Sequence, residues 1–170
     1  MGRASTKENK SIYQTTREEL KLTREKASEI IGFISPERIE KIENAKVNVQ
    51  PDDVMALAEC YKAPKLCNYY CANECPIGQK YVPELKVKDL AQIAIETLNS
   101  LNKITREKDR LLEIIEDGRV TDDELSDFVS IKKTLDKIAL SVDTLQLWVD
   151  QAVADGNLDK TIFEDNDSKA

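Results

Sequence analysis

The chain has 170 residues, 41% of them hydrophobic and 34% charged, with a net charge of -7, five Gly, five Pro and no His. That size supports one good core and a smaller appendage, and the missing His excludes imidazole catalysis and zinc sites built on His. No apolar run approaches the roughly 18 residues of a spanning helix, and the start MGRASTKENK lacks the apolar stretch of a secretion signal, so no membrane and a cytoplasmic location are expected.

Strand-like alternation is nowhere sustained, which together with the few Gly and Pro predicts an all-α chain. Charge is unevenly placed. Residues 1–66 hold 12 Lys and Arg against 11 Asp and Glu, leaving 13 basic and 21 acidic residues behind them. A near-neutral front can present a basic face, whereas the acidic back is repelled by phosphate.

Residues 1–10 read as a flexible tail, and residues 11–75 as one domain of five short helices. The first helix is expected over Tyr13–Lys21. The run TREKASEII begins a second, with Thr23 as its cap and Ala27, Ile30 and Ile31 on one face. A turn follows at Gly32, and Ser35 caps a third helix with Pro36 at its first position, where a missing amide hydrogen costs nothing. Ile39 and Ile42 then face inward. Pro51, Asp52 and Asp53 open a fourth helix, Val54 to Tyr61, whose first-turn carboxylates suit the positive end of the helix dipole. A fifth covers about Leu66 to Asn73.

The order Arg17, Leu20, Thr23, Ser28, Gly32, Ser35, Ile39, Ile42, Glu43, Asn44 and Lys46 resembles the Cro and lambda-repressor-like (XRE-type) helix-turn-helix family, over about residues 11–73. The resemblance implies that the second helix braces the third, which lies in the DNA major groove. It also implies a structural ion pair between Arg17 and Glu43. Base contacts fall on Ser35, Pro36, Glu37 and Lys41, with Glu40 on the same side; a carboxylate accepts from cytosine while Lys41 donates to guanine. Phosphate contacts would come from Thr23, Arg24, Lys26 or Arg38, Asn44 and Lys46. The sequence GFIS departs from the family by placing two apolar residues, Phe33 and Ile34, between the turn glycine and the cap. The added residue either shifts the third helix or is absorbed into the last turn of the second.

Cys60, Cys67, Cys71 and Cys75 cluster at the end of this domain. Ordinary core packing, a zinc or iron-sulfur site, and a redox sensor all remain open to such a cluster, although the paired CxxC of zinc knuckles is lacking and no cofactor is favoured. A structural disulfide is not expected in a reducing compartment.

Pro76, Gly78 and Pro83 mark a linker, residues 76–85. Residues 86–156 then carry two long heptad-like patterns, predicting an antiparallel helical hairpin. The first seam runs through Val87, Leu90, Ala94, Leu101, Ile104, Leu111 and Ile115, widened by Ala91, Leu98 and Leu112. The second runs through Phe128, Ile131, Leu135, Ile138, Val142, Leu145, Val149 and Ala152. Asp117 and Gly118 separate them, and Thr121 with the acids behind it caps the second. Glu113–Glu124 has a calcium-loop glycine and glutamate, but Ile115 stands at a ligand position, which excludes that site. Residues 157–170 form a polar tail.

These features point to a DNA-binding regulator that binds double-stranded DNA and forms a homodimer through its hairpin. The competing reading is an adaptor that keeps the helix-turn-helix fold and docks a protein partner. No nucleophile and base recur at a catalytic spacing, so no enzyme is expected.

Overall fold

The computed structural model describes residues 10–159 and residue 161. Most of the two expected tails, residues 1–10 and 157–170, lies outside the described residues. Among those described there are eight helices and no strand: α1 Ile12–Glu19, α2 Arg24–Ile31, α3 Pro36–Glu43, α4 Pro51–Cys60, α5 Lys65–Asn73, α6 Gly78–Tyr81, α7 Leu90–Ile115 and α8 Leu125–Ala154. No helix among them is long and apolar enough to cross a membrane. They form two compact units, one of residues up to Glu84 together with those from Asp150 onward, the other Leu85–Val149.

The first unit is organised by its caps. Ser11, Thr23 and Ser35 each accept a hydrogen bond from the backbone amide three residues on, at 3.2, 3.1 and 3.3 Å. Each such cap contributes about 1 kcal/mol by satisfying an amide the helix leaves over. Asp53 reaches back to the Gln50 amide at 3.1 Å, so α4 starts at Pro51, three residues ahead of the expected Val54. The helices pack Tyr13, Ala27, Ile34, Ile39, Ile42, Val54, Leu57, Tyr61 and Leu66 into one core. Tyr13 and Tyr69 meet edge to face, ring centres 6.0 Å apart. Ile30 departs from expectation: it is 54% exposed, and Ala27 with the half-buried Ile31 makes the inward face of α2.

Three helices end in a way the sequence did not announce. Lys21, Ala45 and Lys62 take φ of 56°, 52° and 50°, and the following amides of Leu22, Lys46 and Ala63 bond back to carbonyls five residues earlier. This is the closure usually given to glycine, and each non-glycine residue there costs about 1 kcal/mol. A small unforeseen helix, α6, sits inside the expected linker. It approaches α5 so closely that a Cβ at Gly78 would lie 1.9 Å from the Cys71 carbonyl oxygen.

In the second unit α7 starts at Leu90 under the cap of Asp89, whose carboxylate accepts from Gln92 N at 2.9 Å. Val87, placed by sequence in the first seam, precedes the helix and is exposed. Antiparallel pairing is fixed by Arg110 with Asp127 at 2.7 Å and by the Thr134 hydroxyl donating to Glu107 at 3.1 Å.

The stripes that meet match the expected ones only in part: Ile131 of the expected second seam is buried, and Ile104, Leu111, Phe128 and Ile138 are half-buried. Ile93 and Ile114 of α7 and Ile131 of α8 are buried, yet so are Thr134, Ser141 and Thr144. Leu90, Leu101 and Ile115 of the expected first seam are exposed, as are Leu135, Val142 and Leu145 of the second. Apolar periodicity marked helix faces correctly but not which face each helix turns to its neighbour. Burying hydroxyls is affordable here because Thr134, Ser141 and Thr144 donate to carbonyls four residues earlier in their own helix.

Candidate nucleic-acid interface

The turn from α2 to α3 begins at Gly32, whose φ of +85° lies in the left-handed region that favours glycine. A Cβ there would meet nothing within 4 Å, so the requirement is conformational and not one of space. The longer turn resolves simply. Phe33 is 70% exposed and Ile34 is 1% exposed, so Phe33 is the added residue and Ile34 takes the core position. The extra residue stays in the turn, and α2 still ends at Ile31.

α3 is held at its far end by a buried carboxylate. Glu43 receives Arg17 Nε at 2.6 Å and Nη2 at 3.0 Å, and Arg24 Nε at 2.8 Å. One residue of α3 thus ties down α1 and α2 together. Burial works against the charge on Arg17, but the hydrogen bond and charge of Glu43 outweigh it and its basicity ends up raised. Arg24, expected to reach phosphate, is part of this cluster and half-buried.

Arg38 is likewise engaged. Its guanidinium grips both oxygens of Asp53, Nε to Oδ1 at 2.9 Å and Nη2 to Oδ2, linking α3 to the start of α4. The Arg38 hydrogen bond holds the Asp53 carboxyl below its usual range, although burial opposes this.

The helix starts hold a second departure. Glu37 is held below its usual value by its own backbone amide and by the Ser35 hydroxyl, with Lys41 adding attraction. Glu25 is treated the same way by its amide and by Thr23. The amide-rich starts of α2, where phosphate contact was expected, and of α3, where base contact was expected, therefore already carry a carboxylate of the chain. This signal was legible in Thr23-Arg24-Glu25 and Ser35-Pro36-Glu37, an acid two positions after each cap.

Of the expected contact residues, Ser35, Glu37 and Lys41 are exposed on α3, while Pro36 and Glu40 are half-buried beside them. Beyond the helix, Lys46 is exposed and 3.9 Å from Glu40, and Asn44 Nδ2 donates to the Glu40 carbonyl at 2.8 Å. Lys26 pairs with Glu29 at 2.9 Å on the exposed surface of α2. Buried carboxylates hold Arg24 and Arg38, whereas none holds Lys26, Lys41 or Lys46.

The cysteines are all half-buried and reduced. Burial pushes the Cys60 and Cys67 thiols up, which makes them poorer nucleophiles. Among the described residues no three Cys, Asp or Glu side chains converge on a point that could hold a metal ion.

Residues 14–64, under half of the chain, match a family model described as Helix-turn-helix. No curated protein matches the chain. No solved structure matches it either.

Proposed function

With residues 14–64 a helix-turn-helix domain of the Cro and lambda-repressor-like type, we propose that this protein is a sequence-specific transcriptional regulator that binds double-stranded DNA as a homodimer in the cytoplasm. The observation that carries this reading is the way α3 is presented. Its inner residues Ile39, Ile42 and Glu43 are buried while Ser35, Glu37 and Lys41 stand clear of the core. A braced helix with a free outer face is what entry into a major groove requires.

The base-reading set is Ser35, Pro36, Glu37, Glu40 and Lys41, with Lys41 as the donor to guanine and Glu37 as the acceptor from cytosine once it swings off the helix start. Thr23, Asn44 and Lys46 supply phosphate contacts. Arg24 and Arg38 act chiefly through positioning, since Glu43 and Asp53 hold their guanidinium groups. No reaction is assigned to the protein.

The test is selection of bound sequences from a random duplex pool at low salt, wild type against Lys41→Ala. An enriched motif that loosens at one position in the variant supports the reading, as does affinity that falls steeply with salt. Absence of any enrichment refutes it. A second reading, an adaptor that docks a protein partner, draws on the carboxylates of Glu25 and Glu37 seated on the helix starts; it predicts binding indifferent to salt and to Lys46→Ala.

A further inference from the structure

The hairpin has two unlike sides. One carries a groove lined mostly by polar residues, among them Glu96, Ser100, Lys137, Ser141 and Thr144, with Leu140 between them. A helix turns about 100° per residue, so residues two positions from these point to the opposite side. On α7 that opposite side carries Leu98, Leu101, Leu112 and Ile115, on a run of four- and three-residue steps starting at Ala94. All four are exposed, Leu98 by 60% and Leu112 by 54%. On α8 it carries Leu125, Phe128, Leu135, Ala139 and Val142 in the same rhythm, with Val142 55% exposed. Because the polar sides of the two helices share a groove, the two apolar stripes share the other side and form one face.

Three observations say what covers it. The face is about 40 Å long, from 26 residues of α7 at about 1.5 Å each, and about two helix widths across. That is on the order of 800 Å² per copy, the share each partner contributes to a stable interface. The second is charge: α7 holds four basic and four acidic residues, and α8 three and four, so two copies do not repel.

The third is the placement of lysine. The stripes are interrupted by Lys108 on α7 and Lys132 on α8, exposed, each beside an exposed carboxylate of its own helix (Asp109 at 3.7 Å, Asp136 at 2.6 Å), and lying at one level because Glu107 faces Thr134. That level lies in the half of the hairpin nearer the turn. A copy stacked with its turn at the same end would gather four ammonium groups in an apolar seam. A copy stacked with its turn at the opposite end brings them instead to the level of the exposed Asp143 of the partner.

We propose that the face formed by Leu98, Leu101, Leu112, Ile115, Leu135 and Val142 is covered by the same face of a second copy, packed with the two hairpin turns at opposite ends. This deepens the homodimer of the proposed function and rests on that part of it. Each Lys108 and Lys132 then meets the other copy's Asp143, and the assembly is a four-helix bundle with an isologous interface.

Sedimentation equilibrium of the full chain without DNA tests it, so the outcome is independent of operator binding. Wild type is expected to be a dimer at ~10 μM. Leu98→Lys is expected to weaken it by about 100-fold, because a charge enters the seam twice per dimer, with helical circular dichroism retained since Leu98 packs against little within one chain. Lys108→Glu is expected to weaken association by about 10-fold and Lys108→Glu with Lys132→Glu by more, and adding Asp143→Lys to that pair is expected to restore it. A wild-type monomer at ~100 μM would overturn the proposal, and an unchanged dimer in Leu98→Lys would overturn the face. Tighter association of Lys108→Glu alone would overturn the orientation, since only the same-end packing is relieved by that change.

Discussion

The two units solve the problem of burial in opposite ways. In the first, helices α1 to α5 send apolar side chains to one core, and the charges taken inside, Arg17, Glu43 and Asp53, arrive with partners at hydrogen-bonding distance. In the second, one chain buries Ile93, Ile114 and Ile131 together with Thr134, Ser141 and Thr144, and leaves more leucine and valine outside than in. The first unit is complete as a single copy. The second has the apolar content of a core distributed for a larger assembly, and the contrast separates residues that hold a fold from residues that wait for a partner.

The first unit is most vulnerable at Glu43. Glu43→Gln leaves the buried Arg17 with only the more distant Glu18 carboxylate, at 3.9 Å, and should cost about 4 kcal/mol in urea unfolding of the first unit. Fluorescence of Trp148, which lies in the second unit, should report a transition that moves far less. A uniform shift of both signals would show that the units do not melt independently. Next comes the adjacent pair in the α2–α3 turn: Ile34→Ala should cost about 3 kcal/mol and Phe33→Ala less than about 0.5 kcal/mol, although both remove a large apolar side chain.

Smaller effects are expected at Thr144 and Ala45. Thr144→Val keeps the shape and removes a hydroxyl bonded only within its own helix at 2.7 Å, so the hairpin should gain about 1 kcal/mol, read as a higher midpoint by Trp148 fluorescence. Ala45→Gly relieves a left-handed residue and should raise the first unit's stability by about 0.5–1 kcal/mol in the same urea assay.

The smallest expected effect is one of pH. Arg38 lowers the Asp53 pKa below its ordinary 3.8 in the folded state. The stability from this pair is therefore fully present above that value and lost as pH falls through the lower, folded one. Arg38→Ala should flatten the fall of stability below about pH 4, measured by unfolding at stepped pH. An unchanged acid limb would remove the pair from the account.

Much of the first unit was legible because its signals are local. Thr23 and Ser35 act on amides three residues away, Pro36 and Gly32 act on their own torsions, and a short window of sequence contains all of them. What stayed hidden depended on distant partners. Arg38 with Asp53 joins residues 15 apart, and nothing near Arg24 announces Glu43, 19 positions on. The long helices of the hairpin were legible, but their buried stripes were legible only in part, for another reason. Leu101 and Ile104 both satisfy a heptad rhythm, and periodicity alone could not choose between the stripe that faces the neighbouring helix and the stripe that does not.

The division of labour along α3 has a further consequence. Ile39, Ile42 and Glu43 anchor the helix, whereas Glu37, Glu40 and Lys41 make no contact that the core depends on. The outer positions are therefore free to drift or to be redesigned, singly or together, without loss of the scaffold. A library randomised at those three sites should yield folded proteins almost throughout, which makes this helix a candidate for retargeting to new half-sites while its anchor stays fixed.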